Sequence, residues 1–230
     1  MRKWSALPLL IFASIFAGLS PAATTSALSP ILDEDELLRT ATLVFTHAVA
    51  MPAAAIPASV LMRATAIAAV PSAVKDGRRY YGLGVVSARD ARVDYWTPPA
   101  VIAFEGDIPL DLESRAVDFI VIAQTRRGLD YLIQGRIPGV GPNSMAAGAL
   151  GHDALMRMDA DLLAYVQFDN YFAGVKIDDW VVDDMTASNA VLYGRPYSTD
   201  DIVRGAGFFH LPSSARKWRE ALAGYFRQMS

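Results

Sequence analysis

Three short runs rich in β-branched and aromatic residues govern what this chain can become: YYGLGVVSA at 80–88, PAVIAF at 99–104 and DFIVIAQ at 118–124. Each is bounded by Gly, Pro or Asp, the pattern of short strands between turns. ADLLAYVQF and YFAGVKI then read as a hairpin joined at Asp169-Asn170, although the first also fits a helix by periodicity. Helical patterns flank these runs. In DEDELLRTATLVFTHAV the acids occupy the first turn, where they complement the dipole, and Leu37, Leu38, Ala41, Val44, Phe45 and Ala48 recur at helical spacing. A second helix is predicted from Pro57, burying Ile56, Val60, Leu61, Ala64, Ile67 and Ala68 and stopping before Pro71. A brief helix is expected at about 128–134, another around Met185 to Leu192, and a last one at the C-terminus. The expectation is an α+β fold: N-terminal helices, a central mainly antiparallel sheet or barrel-like sandwich, and C-terminal helices.

The first residues read as an address. Arg2 and Lys3 precede an uncharged run from Ala6 to Leu19, 14 residues long, whereas a spanning helix needs about 20. Ser20 and Ala22, or Thr25 and Ala27, stand at the −3 and −1 spacing of a signal-peptidase site. The expectation is a signal peptide over 1–27, cleaved after Ala22 or Ala27, and a single domain over 28–230. The protein would be exported, periplasmic or envelope-associated. With no cysteine there is no lipobox, disulfide or thiolate metal site, so it is not a lipoprotein and its core alone must hold it. Whole-chain charge is 21 basic against 24 acidic residues; without Arg2 and Lys3 it is 19 against 24, or −5. Such a field draws neither nucleic acid nor anionic lipid, so attraction must come from a local patch.

KDGRRYYGLGVV, at 75–86, is the obvious patch, with three cations, two tyrosines and three glycines in twelve positions. As a phosphate loop it is weak. Gly82 and Gly84 form a bare G-x-G with valines after it, so a strand follows where a nucleotide loop would open a helix. Hydrolase signals are also weak: GPNSM around Ser144 only shadows a G-x-S-x-G elbow, and His47, His152 and His210 are isolated. His152-Asp153 could polarise a nucleophile, but a turn after Gly151 is the plainer role. Asp178-Asp179 and Asp183-Asp184 could hold calcium, yet they lack loop spacing and read as turns and helix starts. No catalytic residue, metal ligand or cofactor is assigned. SSARKWREALAGYFRQM carries Ala215, Trp218, Leu222, Tyr225 and Met229 as an apolar stripe, backed by Arg216, Lys217, Arg219 and Arg227 with Glu220 the one acid. This is either a membrane-surface helix or a docked helix with a basic back.

Several stretches resemble the SYLF domain family in that family's order, over about residues 50 to 205. IPASVLMRATAIAAVPSAVKDG matches its opening through Ile56, Pro57, Leu61, Ala64, Pro71 and Gly77. YYGLGVV resembles its glycine-rich strand, YWTPPAVIAF its tryptophan-led strand, and SMAAGALGHDA its alanine-glycine segment. YFAGVKIDDWVV followed by NAVLYGR resembles its G-L-F-A-G-V strand and its A-x-Y-G segment. Two departures stand out. Arg78-Arg79-Tyr80-Tyr81-Gly82-Leu83-Gly84 has fewer glycines than the family pattern, and GDIPLDLESRAVDF replaces a glycine-rich segment with Pro109 and added acids.

The resemblance implies a non-enzymatic, lipid-associated domain, since members bind phospholipids and some eukaryotic ones bind phosphoinositides and actin. The leading expectation is therefore an envelope module that binds phospholipid or a membrane surface, and no nucleic acid. Its lipid-binding residues would be Lys75, Arg78, Arg79, Tyr80 and Tyr81, aided by Arg63 on the preceding helix. The alternatives are a structural or protein-interaction module of the envelope that has lost lipid binding and, remotely, a hydrolase. Trp96 is expected to be buried at the sheet's edge.

Overall fold

The computed structural model describes residues 33–50, 56–90, 92, 95–108, 116–133, 135, 146–147, 160–168, 171–175, 177–205 and 211–229. The expected leader at 1–27, Ser144, His152, Asp153, His210, Pro109 and the expected turn at Asp169-Asn170 lie outside these residues. Helix α1 (Glu34–Ala50) forms as its periodicity predicts, with Leu37, Leu38, Ala41, Val44, Phe45 and Ala48 all buried. Helix α2 (Ala58–Met62) is only five residues long. The chain then enters β1 (Ala66–Asp76) and β2 (Arg79–Asp90), followed by β3 (Tyr95–Trp96), β4 (Ala100–Asp107) and β5 (Ala116–Ala123). After α3 (Arg126–Ile133) come β6 (Ala146–Ala147), β7 (Leu162–Phe168), β8 (Tyr171–Val175) and β9 (Asp178–Asp184). Helices α4 (Thr186–Tyr193), α5 (Thr199–Val203) and α6 (Ser213–Met229) complete the described chain.

The helix predicted from Pro57 to Ala68 is thus corrected: it ends at Met62, and Ala66 onward is the central strand β1. The physical reason is double burial. Ile67 and Ala69 enter one apolar cluster, while Ala66, Ala68 and Val70 enter the other. A strand covered on both faces reads as an unbroken apolar run, which periodicity cannot tell from a buried helix. Pro71 does not end the element either. It sits in a bulge where the register shifts between Val70 and Ala73, with Ser72 at φ 51° and its N–H donated to Asp118 Oδ1 at 2.7 Å. Proline is tolerated at such a bulge because the ladder is interrupted there.

The sheet runs β6-β7-β5-β1-β2-β4-β9, with β3 on β2 and β8 on β7, and every pair is antiparallel except β6–β7. Phe104 of β4 and Phe119 of β5 have ring centroids 5.5 Å apart. Their strands are three spacings apart, about 14 Å on a flat sheet, so the sheet curls around this inner face. Tyr80, Phe104, Phe119 and Trp180 fill it. Among the described strands no ladder joins β9 to the β7–β8 end, and the sheet stays open.

Helices α1, α4 and α6 cover part of the outer face, over Ala69, Leu83, Val85, Val101 and Ala103. Trp218 of α6 is fully buried, donates Nε1–H to Ser87 Oγ at 2.9 Å, and meets Phe45 edge-on at 5.9 Å. The C-terminal helix is therefore docked. Its buried stripe is Ala215, Trp218, Leu222 and Phe226, while Tyr225 is half-buried and Met229 is exposed, so the expected stripe is corrected at its end. Trp96 is buried as expected, 5.1 Å from Phe226.

Candidate functional site

The twelve residues from Lys75 span the end of β1, a two-residue turn and the first two-thirds of β2. Asp76 faces Arg79 across the ladder, and Gly77, at φ 61°, stands where a type II′ hairpin turn takes glycine. Arg78 is the exposed second turn residue, and its carbonyl accepts the Ile108 N–H at 3.1 Å, which fixes the turn to the chain after β4. The glycines have a packing role. A Cβ on Gly84 would lie 2.6 Å from the Ala69 carbonyl oxygen and 2.7 Å from Val70 Cγ2, and one on Gly82 would lie 2.9 Å from Val70 Cγ1. Both let β2 pass close to the β1 bulge, and neither faces a ligand.

Alternation divides the other side chains. Tyr80 points to the inner face, fully buried, with its ring 5.7 Å from Phe119; it is core, and its expected place at a lipid interface is corrected. Lys75 is the register partner of Tyr80 and shares its side of the sheet, half-buried. Arg79 and Tyr81 lie on the outer face. Arg79 donates Nε–H to Asp107 Oδ1 at 2.9 Å and pairs with Glu105 through NH1. Burial opposes its charge, but the hydrogen bond to Asp107 and the fields of Glu105 and Asp107 outweigh this and raise its pKa. Tyr81, half-buried beside them, has its phenol pKa raised by burial and then by Glu105. Arg63 follows α2 at the start of β1, so the eleven residues of β1 separate it from the turn. At about 3.3 Å per residue that is roughly 30 Å, and the structure does not bring Arg63 to the others.

Several other described residues have structural partners. Asn189, which sequence reasoning did not single out, is buried, accepts the Val101 N–H at 2.8 Å and donates to the Tyr197 carbonyl. Tyr193 donates its hydroxyl to the Pro99 carbonyl, and burial raises its pKa. Asp183 and Asp184 belong to strand β9 rather than to a turn or helix start, and Asp184 accepts from Thr186 and from the Thr199 N–H. His47 is exposed against Phe172. Among the described residues no group of three or more His, Asp or Glu is placed to hold a metal, and no helix is long and apolar enough to cross a membrane.

What these elements define is an open α+β sheet domain with a charged hairpin turn at one end. Residues 114–225 match the family model described as Ysc84, Las17-binding protein actin regulator. Over that segment the chain is similar to the SYLF family, the family its motifs resemble. No curated protein matches the chain.

Proposed function

We propose that the protein is an exported, non-enzymatic module of the cell envelope that binds phospholipid headgroups through Lys75 and Arg78. The observation that carries this is the exposed Arg78 in a turn whose backbone is held by the Ile108 hydrogen bond. An arginine fork suits phosphate oxygens, and Lys75 adds a point charge. Arg79 takes a supporting place, since Glu105 and Asp107 already offset its charge. Two cations near an anionic surface contribute about 2 kcal/mol, roughly a 30-fold partition, which fades as salt shortens the Debye length.

Flotation with phosphatidylglycerol vesicles at low salt tests this. Wild type and Arg79→Ala should float, and the Lys75→Ala, Arg78→Ala variant should remain at the bottom. Equal flotation of the double variant would remove the turn as the lipid site. Export rests on the leader at 1–27, and N-terminal sequencing of envelope-derived protein should begin near Ala23 or Leu28; an intact Met1 on exported protein would refute it.

A second reading, a protein-interaction module, is favoured by one observation. Asp76, Glu105 and Asp107 lie on the same side of the sheet as Arg79 and leave that side acidic.

A further inference from the structure

Among the described residues, the helices leave one end of the outer sheet face uncovered. Leu83 and Ala103, paired across β2 and β4, are the last buried members of the helix-covered cluster in that direction. One step beyond them, Ala116, Val74, Tyr81, Glu105 and Val181 are successive register partners across five strands. Ala116 is exposed, Val74 is 57% exposed, and Tyr81 and Val181 are half-buried. An apolar row of this kind on a sheet otherwise buried on both faces is a surface that something can cover.

Its borders are net acidic among the described residues. The next row outward is Asp76, Arg79 and Asp107, again register partners, and on the other side Asp183 faces Ala103. Glu105 interrupts the apolar row itself. Among the described residues of these rows Arg79 is the single cation, and Glu105 and Asp107 both engage it. Lys75 is directed to the opposite side of the sheet. The face is therefore apolar along its centre and acidic along its rims.

We propose that this uncovered end of the outer face docks a basic amphipathic helix of a partner protein. The charge selects the occupant. Carboxylates on both sides of the row attract lysines or arginines flanking an apolar stripe, and they repel anionic headgroups. A second copy of this chain, itself net negative, is a poorer match. The dimensions agree as well. Five strands span four spacings, about 19 Å, the length of roughly 13 helical residues. Helices α1 and α6 already pack on this sheet face, so a further helix beside them continues an existing layer. The proposal uses the side of the hairpin opposite Lys75 and stands whether or not the turn binds lipid.

The test is fluorescence anisotropy of the full chain with a labelled synthetic peptide of about 14 residues, leucines along one stripe and lysines beside it. A matched peptide carrying glutamates in place of the lysines is the control. The lysine peptide should bind at low salt and the glutamate peptide should not. The Val74→Ser, Asp76→Asn variant should bind the lysine peptide about tenfold more weakly, while Glu220→Gln, an acid removed on α6, should leave binding unchanged. Asp183→Asn, on the other rim, should also weaken binding, which guards against a local effect of the double change. Wild-type affinity in the double variant, or equal binding of the two peptides, overturns the proposal. So does peptide affinity that stays constant while the variant loses vesicle flotation or concentration-dependent self-association, because the face would then belong to lipid or to a second copy.

Discussion

Replacing Trp218 with alanine is expected to destabilise the protein by about 4 kcal/mol, since Trp→Ala changes in cores cost roughly 3–5 kcal/mol. The ring is fully buried between α1 and the sheet, edge-on to Phe45, and its indole N–H is held by the buried Ser87 hydroxyl. Truncation leaves a cavity and also removes the partner of Ser87. Against a total stability of about 5–15 kcal/mol this is a large fraction, equivalent to a fall in Tm of roughly 8–16 °C for a domain of this size. The melting curve also separates the two roles open to a basic amphipathic C-terminal helix. A helix whose apolar stripe waits for a bilayer would melt unchanged without Trp218. The docked helix described above cannot.

Gly84→Ala is expected to destabilise by about 2 kcal/mol, within the usual 1–3 kcal/mol of overpacking. The added methyl would meet the Ala69 carbonyl oxygen at 2.6 Å and Val70 at 2.7 Å, in the middle of the sheet, where backbone cannot yield cheaply. Gly224→Ala supplies the comparison. It lies inside α6 with nothing within 4 Å of a Cβ, so relief of glycine's chain entropy should stabilise by about 0.5–1 kcal/mol. Opposite signs at the two glycines, read from denaturant midpoints, identify Gly84 as a close-approach residue. A neutral or stabilising Gly84→Ala would remove that reading of the G-x-G.

The legible elements were those whose residue pattern is one-sided or clearly bounded. Helix α1 declared itself through a one-sided stripe, and β2, β4 and β5 through β-rich runs between Gly, Pro and Asp. The β7–β8 hairpin was read correctly despite its helical ambiguity. Strand β1 was not, because its alanines and valines are buried on both faces and carry no alternation. Strand β9 escaped for the opposite reason. Its ends are paired acids, DD and DD, which look like turns, yet Trp180 and Val182 between them point into the inner face. Carboxylates at the ends of an outermost strand also discourage further strand pairing.

The candidate site was legible as a list of cations and only partly as an arrangement. Strand alternation separates Arg79 and Tyr81 from Tyr80. Which side was buried could not be read, since the curl of the sheet makes Tyr80 core through contacts with β5. The pairing of Arg79 with Glu105 and Asp107 was equally hidden, because those acids are 26 and 28 residues away and arrive only through the β2–β4 register. Arg63 failed as a site member for the converse reason: closeness in sequence became a full strand length when the expected helix proved to be β1.

The central claim is that Lys75 and Arg78 hold phospholipid on a turn whose neighbouring residues are structural. Mass spectrometry of lipid co-purified with wild type and with the Lys75→Ala, Arg78→Ala variant tests it most directly. The account predicts anionic phospholipid with wild type, and its depletion from a variant that melts at the same temperature. Equal lipid in both proteins, or none with wild type, would contradict it.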